Sequence, residues 1–186
     1  MKTAMIIASD AGARTAGIIR EELGKEVDLF SVSERSGCVR IDSITDFTLR
    51  HFGDYEAFVF IGAMGICVRA IAPCVTSKYA DPAVVNVDAT GHFVVSVLAG
   101  HVGGANALTE RLARILGAQP VVTTQSDNTG LWALHLLGKE NGWKMEYRRS
   151  LNELISIFVN QRPTALLLDI RDEGTDRLEH SRPAHV

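Results

Sequence analysis

The sequence predicts an α/β protein: an open, mostly parallel sheet with helices on both faces, followed by a smaller α/β unit. Short apolar and β-branched runs alternate with amphipathic stretches of helical period, the pattern of a sheet covered by helices. Several of those runs are apolar throughout, as strands buried on both faces require. A chain of 186 residues can bury a core without disulfide or metal staples. The style of the sequence changes after Asp127, so residues 1–127 read as one α/β domain and 128–186 as a smaller second one.

The elements follow in order. Thr3–Ser9 reads as a buried first strand. The segment from Asp10 reads as a turn and helix, with Ala16, Ile19 and Leu23 as its apolar stripe, Arg20 on its polar side and Gly24 as its stop. Glu26–Val32 alternates like a strand. A helix capped by Ser43 closes at Gly53. Tyr55–Gly62 has the aromatic and β-branched content of a central strand, and Met64 opens a short helix that ends before Pro73. Ala83–Asp88 and Phe93–Leu98 read as two strands joined at Asp88–Gly91, a hairpin signal. Asn106–Leu116 is an amphipathic helix with Leu108, Leu112, Ile115 and Leu116 on one side and Gly117 after its end. Pro120–Thr124 reads as another short strand. In the second unit, the stretches from Leu131 and Ser150 read as helices and Thr164–Ile170 as a strand. The polar tail from Arg171 reads as a disordered end or a linker.

Composition narrows the functional classes. A net charge of −3 and a pI near 6.1 give no general attraction to nucleic acid or an anionic membrane. No run approaches the ~20 apolar residues of a membrane span, and Ala4–Ala8 is too short for a secretory leader. Cys38, Cys67 and Cys74 are odd in number with no Cys-x-x-Cys pair. That suits buried thiols in a reducing cytoplasm, which is the expected location.

Chemistry is expected in the polar or glycine-rich turns that follow strands. If the strands before them are parallel, Ser9, Asp10, Gly62, Gly65, His101, Asn106, Thr124 and Asp127 share one edge of the sheet, where open α/β sheets bind ligands. Under that condition the strand Ala83–Asp88 runs antiparallel to its partner. In "GHVGGAN", Gly103 and Gly104 admit positive φ, and the following helix start offers unpaired N–H groups for a phosphate or carboxylate. The other reading is tight packing of strand against helix, with Asn106 as a cap. Gly-x-x-Gly-Gly is not the dinucleotide fingerprint Gly-x-Gly-x-x-Gly. His101 is the acid/base candidate, since imidazole titrates near neutral pH; its alternative is a hydrogen-bonding turn residue. Asp127 is a polar group of that edge or a helix cap before an apolar run. Arg69 and Lys78 could pair with ligand carboxylates or serve as solvated surface charge. Asp81 before Pro82 is turn chemistry. No His/Cys cluster has metal-ligand spacing, and no Gly-x-Ser-x-Gly turn offers a serine nucleophile.

Four ordered motifs over ~70 residues carry the reading further. They are Gly-Ala-x-Gly-Ile-x-Val-Arg at Gly62–Arg69, Lys-x-x-Asp-Pro-Ala-Val-Val at Lys78–Val85, the segment Ala99–Asn106, and Pro-Val-x-Thr-Thr-x-x-Asp at Pro120–Asp127. Together they resemble the amino-terminal domain of the CbiG family of cobalamin-biosynthesis proteins, and residues from Asn128 look like its middle domain. The resemblance implies cobalt-precorrin-5A hydrolase activity, in which a corrinoid δ-lactone is opened and acetaldehyde released. It implies a cobalt-corrinoid substrate and no separate cofactor, the cobalt arriving with the substrate. His101 and Asp127 would handle protons, while Gly62, Gly65, Arg69, Lys78, Gly103, Gly104, Asn106 and Thr124 would bind substrate. Ala99 stands where the family usually has serine, and Gln125 and Ser126 replace Ala and Thr. The family's carboxyl-terminal motif is not found, so the chain is expected to be an amino-terminal and middle portion. The alternative function is a non-catalytic corrinoid-binding or scaffolding module. Other pathway enzymes, a fused domain or an oligomer are compatible partners.

Overall fold

β1 (Thr3–Ile7) is buried at all five positions, as an apolar strand between two helical layers must be. The computed structural model describes residues 1–77, 79–125 and 129–186. The chain divides into two compact units, Met1–Val122 and Thr123–Val186.

The first unit is built on β1, β2 (Val27–Ser31), β3 (Val39–Arg40), β4 (Ala57–Ile61), β5 (Ala83–Val87), β6 (Phe93–Leu98) and β7 (Gln119–Val121). They form one sheet in the order β3-β2-β1-β4-β5-β6-β7. Neighbours from β3 to β5 pair in parallel. β5 and β6 pair antiparallel, and β6 and β7 are parallel again. β6 and β7 therefore run against the other five. The two-residue β3 has no signal in the sequence pattern, and the strand expected to reach Thr124 stops at Val121.

Helices cover both faces. α1 (Asp10–Leu23) and α4 (Ala105–Leu116) bring Ala16, Ile19, Leu108 and Leu112 against Met5, Val59 and Val85. α2 (Ile44–His51) and α3 (Met64–Ile71) bring Phe47, Cys67, Ala70 and Ile71 against Ile6, Phe58, Phe60 and Val84. The alternation along β4, Val59 and Ile61 to one side and Phe58 and Phe60 to the other, is the two-residue period of a strand. Each such aliphatic or aromatic burial contributes roughly 1.5–3 kcal/mol. Local signals set the helix ends. Ser9 and Ser43 accept hydrogen bonds from the amides of Gly12 and Asp46 at 3.1 and 3.2 Å, and Gly24 and Gly117 leave α1 and α4 at positive φ. The hairpin turn is closed by Asp88, whose carboxylate accepts from the amides of Phe93 and Thr90.

The second unit holds α5 (Leu137–Asn141), α6 (Leu151–Val159) and α7 (Glu173–His180). Phe158, buried, stacks on Trp132 with 6.0 Å between ring centroids. Three expectations are corrected here. Thr164–Ile170 joins no ladder among the described residues, with Leu167 87% exposed. An apolar run becomes a strand only where a neighbour takes its N–H and C=O groups. The helix expected from Leu131 is confined to α5. The tail from Arg171 is helical because Asp172 and Thr175 cap each other's backbone, a capping box that needs no apolar run.

Cys67 and Cys74 are buried as expected, and burial pushes the Cys67 thiol up to about 12. Cys38 is only half-buried, since it sits in the turn after β2 rather than on a packed element.

Candidate functional site

Strand direction decides which loops meet. β1, β2, β4 and β5 end at one edge, called the carboxyl edge below, and β6 ends at the opposite one. Ser9, Asp10, Gly62 and Gly65 therefore share the carboxyl edge, whereas the loop with His101, Gly103, Gly104 and Asn106 lies at the other end of the strands. Five residues of strand separate the two edges by about 16 Å. The single shared edge expected from the sequence is corrected. The antiparallel strand is β6, with β7 beside it, because β4, α3 and β5 form a parallel crossover that fixes the direction of β5.

At the carboxyl edge the chain builds outward from β1 to β3 and then returns to place β4 on the other side of β1. Such a reversal parts the adjoining loops, and open α/β sheets bind ligands there. A shallow apolar crevice lies at this point, lined by Ile6, Ala8, Ile44, Gly62, Ala63 and Ile66. Gly62 is required by close approach, since a Cβ there would stand 3.0 Å from that of Ala8. Its amide donates to the Val87 carbonyl at 2.9 Å and its carbonyl accepts from Asn86 Nδ2 at 3.3 Å. Asn86 is buried, and its Oδ1 has no partner among the described residues.

α3 begins directly after this strand end. Gly65, in its first turn, is exposed, and Arg69 lies one turn later on the same face. The Arg69 guanidinium folds back toward the helix start, with Nη1 3.5 Å from where a Gly65 Cβ would stand. Arg69 makes no hydrogen bond or ion pair among the described residues. Arg35, which the sequence reading missed, also serves this edge. Its Nη2 pairs with Asp10 at 3.0 Å, its Nη1 bonds Ser31, and its side chain is 12% exposed. A lone arginine in a polar turn carries no sequence signal of this role.

The Ala99–Gly104 loop has a different logic. The amides of Gly104, Ala105 and Asn106 donate to the carbonyls of His101, Ala99 and Gly100 at 3.1, 3.2 and 3.0 Å. The helix start is thus closed by its own loop, and the expected anion contact through the Gly104 amide is corrected. Gly103 is needed for packing, because a Cβ there would meet Ala99 Cβ at 2.6 Å and the Ala83 amide at 3.2 Å. Gly104, at φ +84°, is the residue before α4. Asn106 is no cap: it lies inside the helix, 8% exposed, accepting from Ser96 Oγ at 2.7 Å. His101 is half-buried and has an interaction partner. Ala99 occupies positive φ, at 55°.

The remaining candidates fall elsewhere. Thr124 is half-buried and belongs to the second unit. Lys78 and Asp127 lie outside the described residues. Asp81 is a turn residue: it accepts from the Thr76 hydroxyl at 2.8 Å and from the Thr76 and Ser77 amides. Burial raises its pKa, but these bonds outweigh that and hold it below the ordinary carboxylate range. The second unit has a hollow of about 320 Å³ lined by residues including Trp132, Leu137 and Arg177, where no expected site residue lies. Among the described residues no three His, Cys, Asp or Glu side chains are grouped to hold a metal, and no helix is long and apolar enough to cross a membrane.

Comparison with known proteins identifies the setting of this geometry. Residues 46–127 match the family described as "Cobalamin synthesis G N-terminal", and residues 132–186 match "Cobalamin biosynthesis central region". The chain is 38% identical over 135 residues to a cobalt-precorrin-5A hydrolase of Priestia megaterium, covering 73% of this chain and 36% of that one. It is 44% identical over 119 residues to the enzyme of the same name from Salmonella typhimurium, covering 63% and 34%. The chain thus spans about a third of the length of these relatives. A crystal structure of a putative cobalamin biosynthesis protein G homolog from Sulfolobus solfataricus shares the fold, with TM-score 0.53 and 20% identity, covering 92% of this chain and 51% of that one. Matched in order by both family regions, the chain belongs to the CbiG family of cobalamin-biosynthesis proteins.

Proposed function

We propose that this chain supplies the N-terminal and central regions of a cobalt-precorrin-5A hydrolase. The observation that carries the reading is the ordered match to both family regions, together with 38% and 44% identity to two enzymes of that name. In the reaction, water adds to the lactone carbonyl and the tetrahedral oxyanion collapses with cleavage of the acyl–oxygen bond. A carboxylate and a free hydroxyl result. Loss of the hydroxyl proton then breaks the carbon–carbon bond to the ring, and the two-carbon unit leaves as acetaldehyde. The macrocycle keeps the electron pair. These steps need a base for the water, a donor for the oxyanion and cations for the peripheral carboxylates.

The candidate residues divide by edge. Gly62, Gly65 and Arg69 are proposed for substrate recognition at the carboxyl edge, with Lys78 from the segment after α3. His101 at the opposite edge and Asp127 are proposed for proton handling, and Thr124 for substrate contact. Because Arg69 and His101 do not share an edge, each role has its own test. Incubating the protein with cobalt-precorrin-5A and assaying acetaldehyde tests the activity; tight corrinoid binding without acetaldehyde would instead mark a binding module. His101→Ala is expected to lower turnover by about 100-fold or more while the unfolding midpoint holds. Equal loss of turnover and stability would make His101 a loop residue only.

A further inference from the structure

α3 has an outer surface that the fold leaves unexplained. Its inner face, Cys67, Ala70 and Ile71, is buried against the sheet. A surface helix ordinarily turns charged and polar residues outward. Here Met64, Ile66 and Val68 are 36%, 37% and 48% exposed, and Arg69 is the sole charged residue of the helix. Val75, just beyond the helix, adds another exposed apolar side chain. Ile66, on the other flank of the helix, lines the crevice at the reversal between β1 and β4, where such sheets receive ligands.

Gly65 adds an independent observation. A Cβ there would find only ordinary contact, 3.5 Å from Arg69 Nη1, and the backbone is not at positive φ. Nothing in the fold requires glycine at this helical position, where it is less stable than alanine. A flat group lying against the helix would require it, because only glycine lets a ligand reach the backbone beside the guanidinium.

We infer that the outer face of α3 is the bed for the corrin ring, with Met64, Val68 and the bare backbone at Gly65 under the apolar disc and Arg69 pairing with a side-chain carboxylate at its rim. This rests on the hydrolase reading, and it adds an apolar surface to recognition by charge alone. The charge complementarity is specific: one cation, unpaired among the described residues, sits beside an apolar surface, matching an apolar disc edged by carboxylates.

The test is titration of the chain with a cobalt corrin bearing free side-chain carboxylates, followed by its visible absorption, alongside the acetaldehyde assay. Arg69→Glu and Val68→Asp are expected to weaken binding by roughly tenfold or more, since each sets a carboxylate against the ligand, with unfolding midpoints unchanged. Gly65→Ala is expected to weaken binding while raising the unfolding midpoint, a split that a packing role would not produce. Acetaldehyde release with unchanged corrin affinity in all three variants overturns the inference and leaves the hydrolase reading standing. A sedimenting dimer that Val68→Asp dissociates, with corrin affinity unchanged, makes the face a contact between copies and also overturns it. A wild-type chain that neither binds the corrin nor releases acetaldehyde removes the hydrolase reading itself, and this inference with it.

Discussion

α3 and α4 lie on opposite faces of one sheet, and both begin beside glycines that the sequence offers as ligand contacts. The glycines serve different ends. At α4, Gly103 has no room for a methyl group, Gly104 holds φ at +84°, and the nearby amides are taken by loop carbonyls. The rest of α4 is amphipathic in the usual way, with Leu108 and Leu112 inward and Glu110, Arg111 and Arg114 outward. At α3, a Cβ on Gly65 would make only ordinary contact, and the outward face is apolar around one arginine unpaired among the described residues. The fold itself demands glycine at Gly103 and makes no such demand at Gly65.

Substitutions sharpen this contrast, taken from the largest expected effect on stability to the smallest. Gly103→Ala forces a methyl group into Ala99 and the start of β5 and should cost about 2–3 kcal/mol, read as a lowered denaturant midpoint. A neutral Gly103→Ala would erase the difference between the two helix starts. Asp81→Ala breaks the turn that returns α3 to β5 and should cost about 2 kcal/mol near neutral pH. Because the native Asp81 pKa lies below its unfolded value, its contribution is present above about pH 4 and fades as pH falls through the native value. Wild type and variant should therefore converge in acid. A gap that persists once Asp81 is protonated in the native state would assign the effect to packing. Gly65→Ala should stabilise by about 0.5–1 kcal/mol, the opposite sign to Gly103→Ala. Destabilisation there would place both helix starts in one class.

Much of the first unit was legible because burial writes a period into the sequence. The all-apolar runs of β1 and β4, the serines before α1 and α2, and the glycines after α1 and α4 each act within a few residues. β3 was not legible, being two residues long with both side chains exposed. The strand assigned to Thr164–Ile170 misled because the pattern is right but no strand pairs with it among the described residues. The α7 capping box was readable at Asp172 and Thr175 but was obscured by the polarity around it. For the candidate site, the Gly62–Arg69 turn was singled out from its motif, while Arg35 and the bare surface of Val68 were not. Nothing in local spacing tells an outward apolar residue from an inward one on so apolar a helix.

The sequence by itself determined the class of fold, most element positions in the first unit and the family, since periodicity, capping and ordered motifs are local or linear properties. Only the tertiary structure decided which loops meet. A hairpin signal says that two strands oppose each other, but not which of them runs with the rest. That choice came from the β4–α3–β5 crossover, and it separates Arg69 from His101 by the length of a strand.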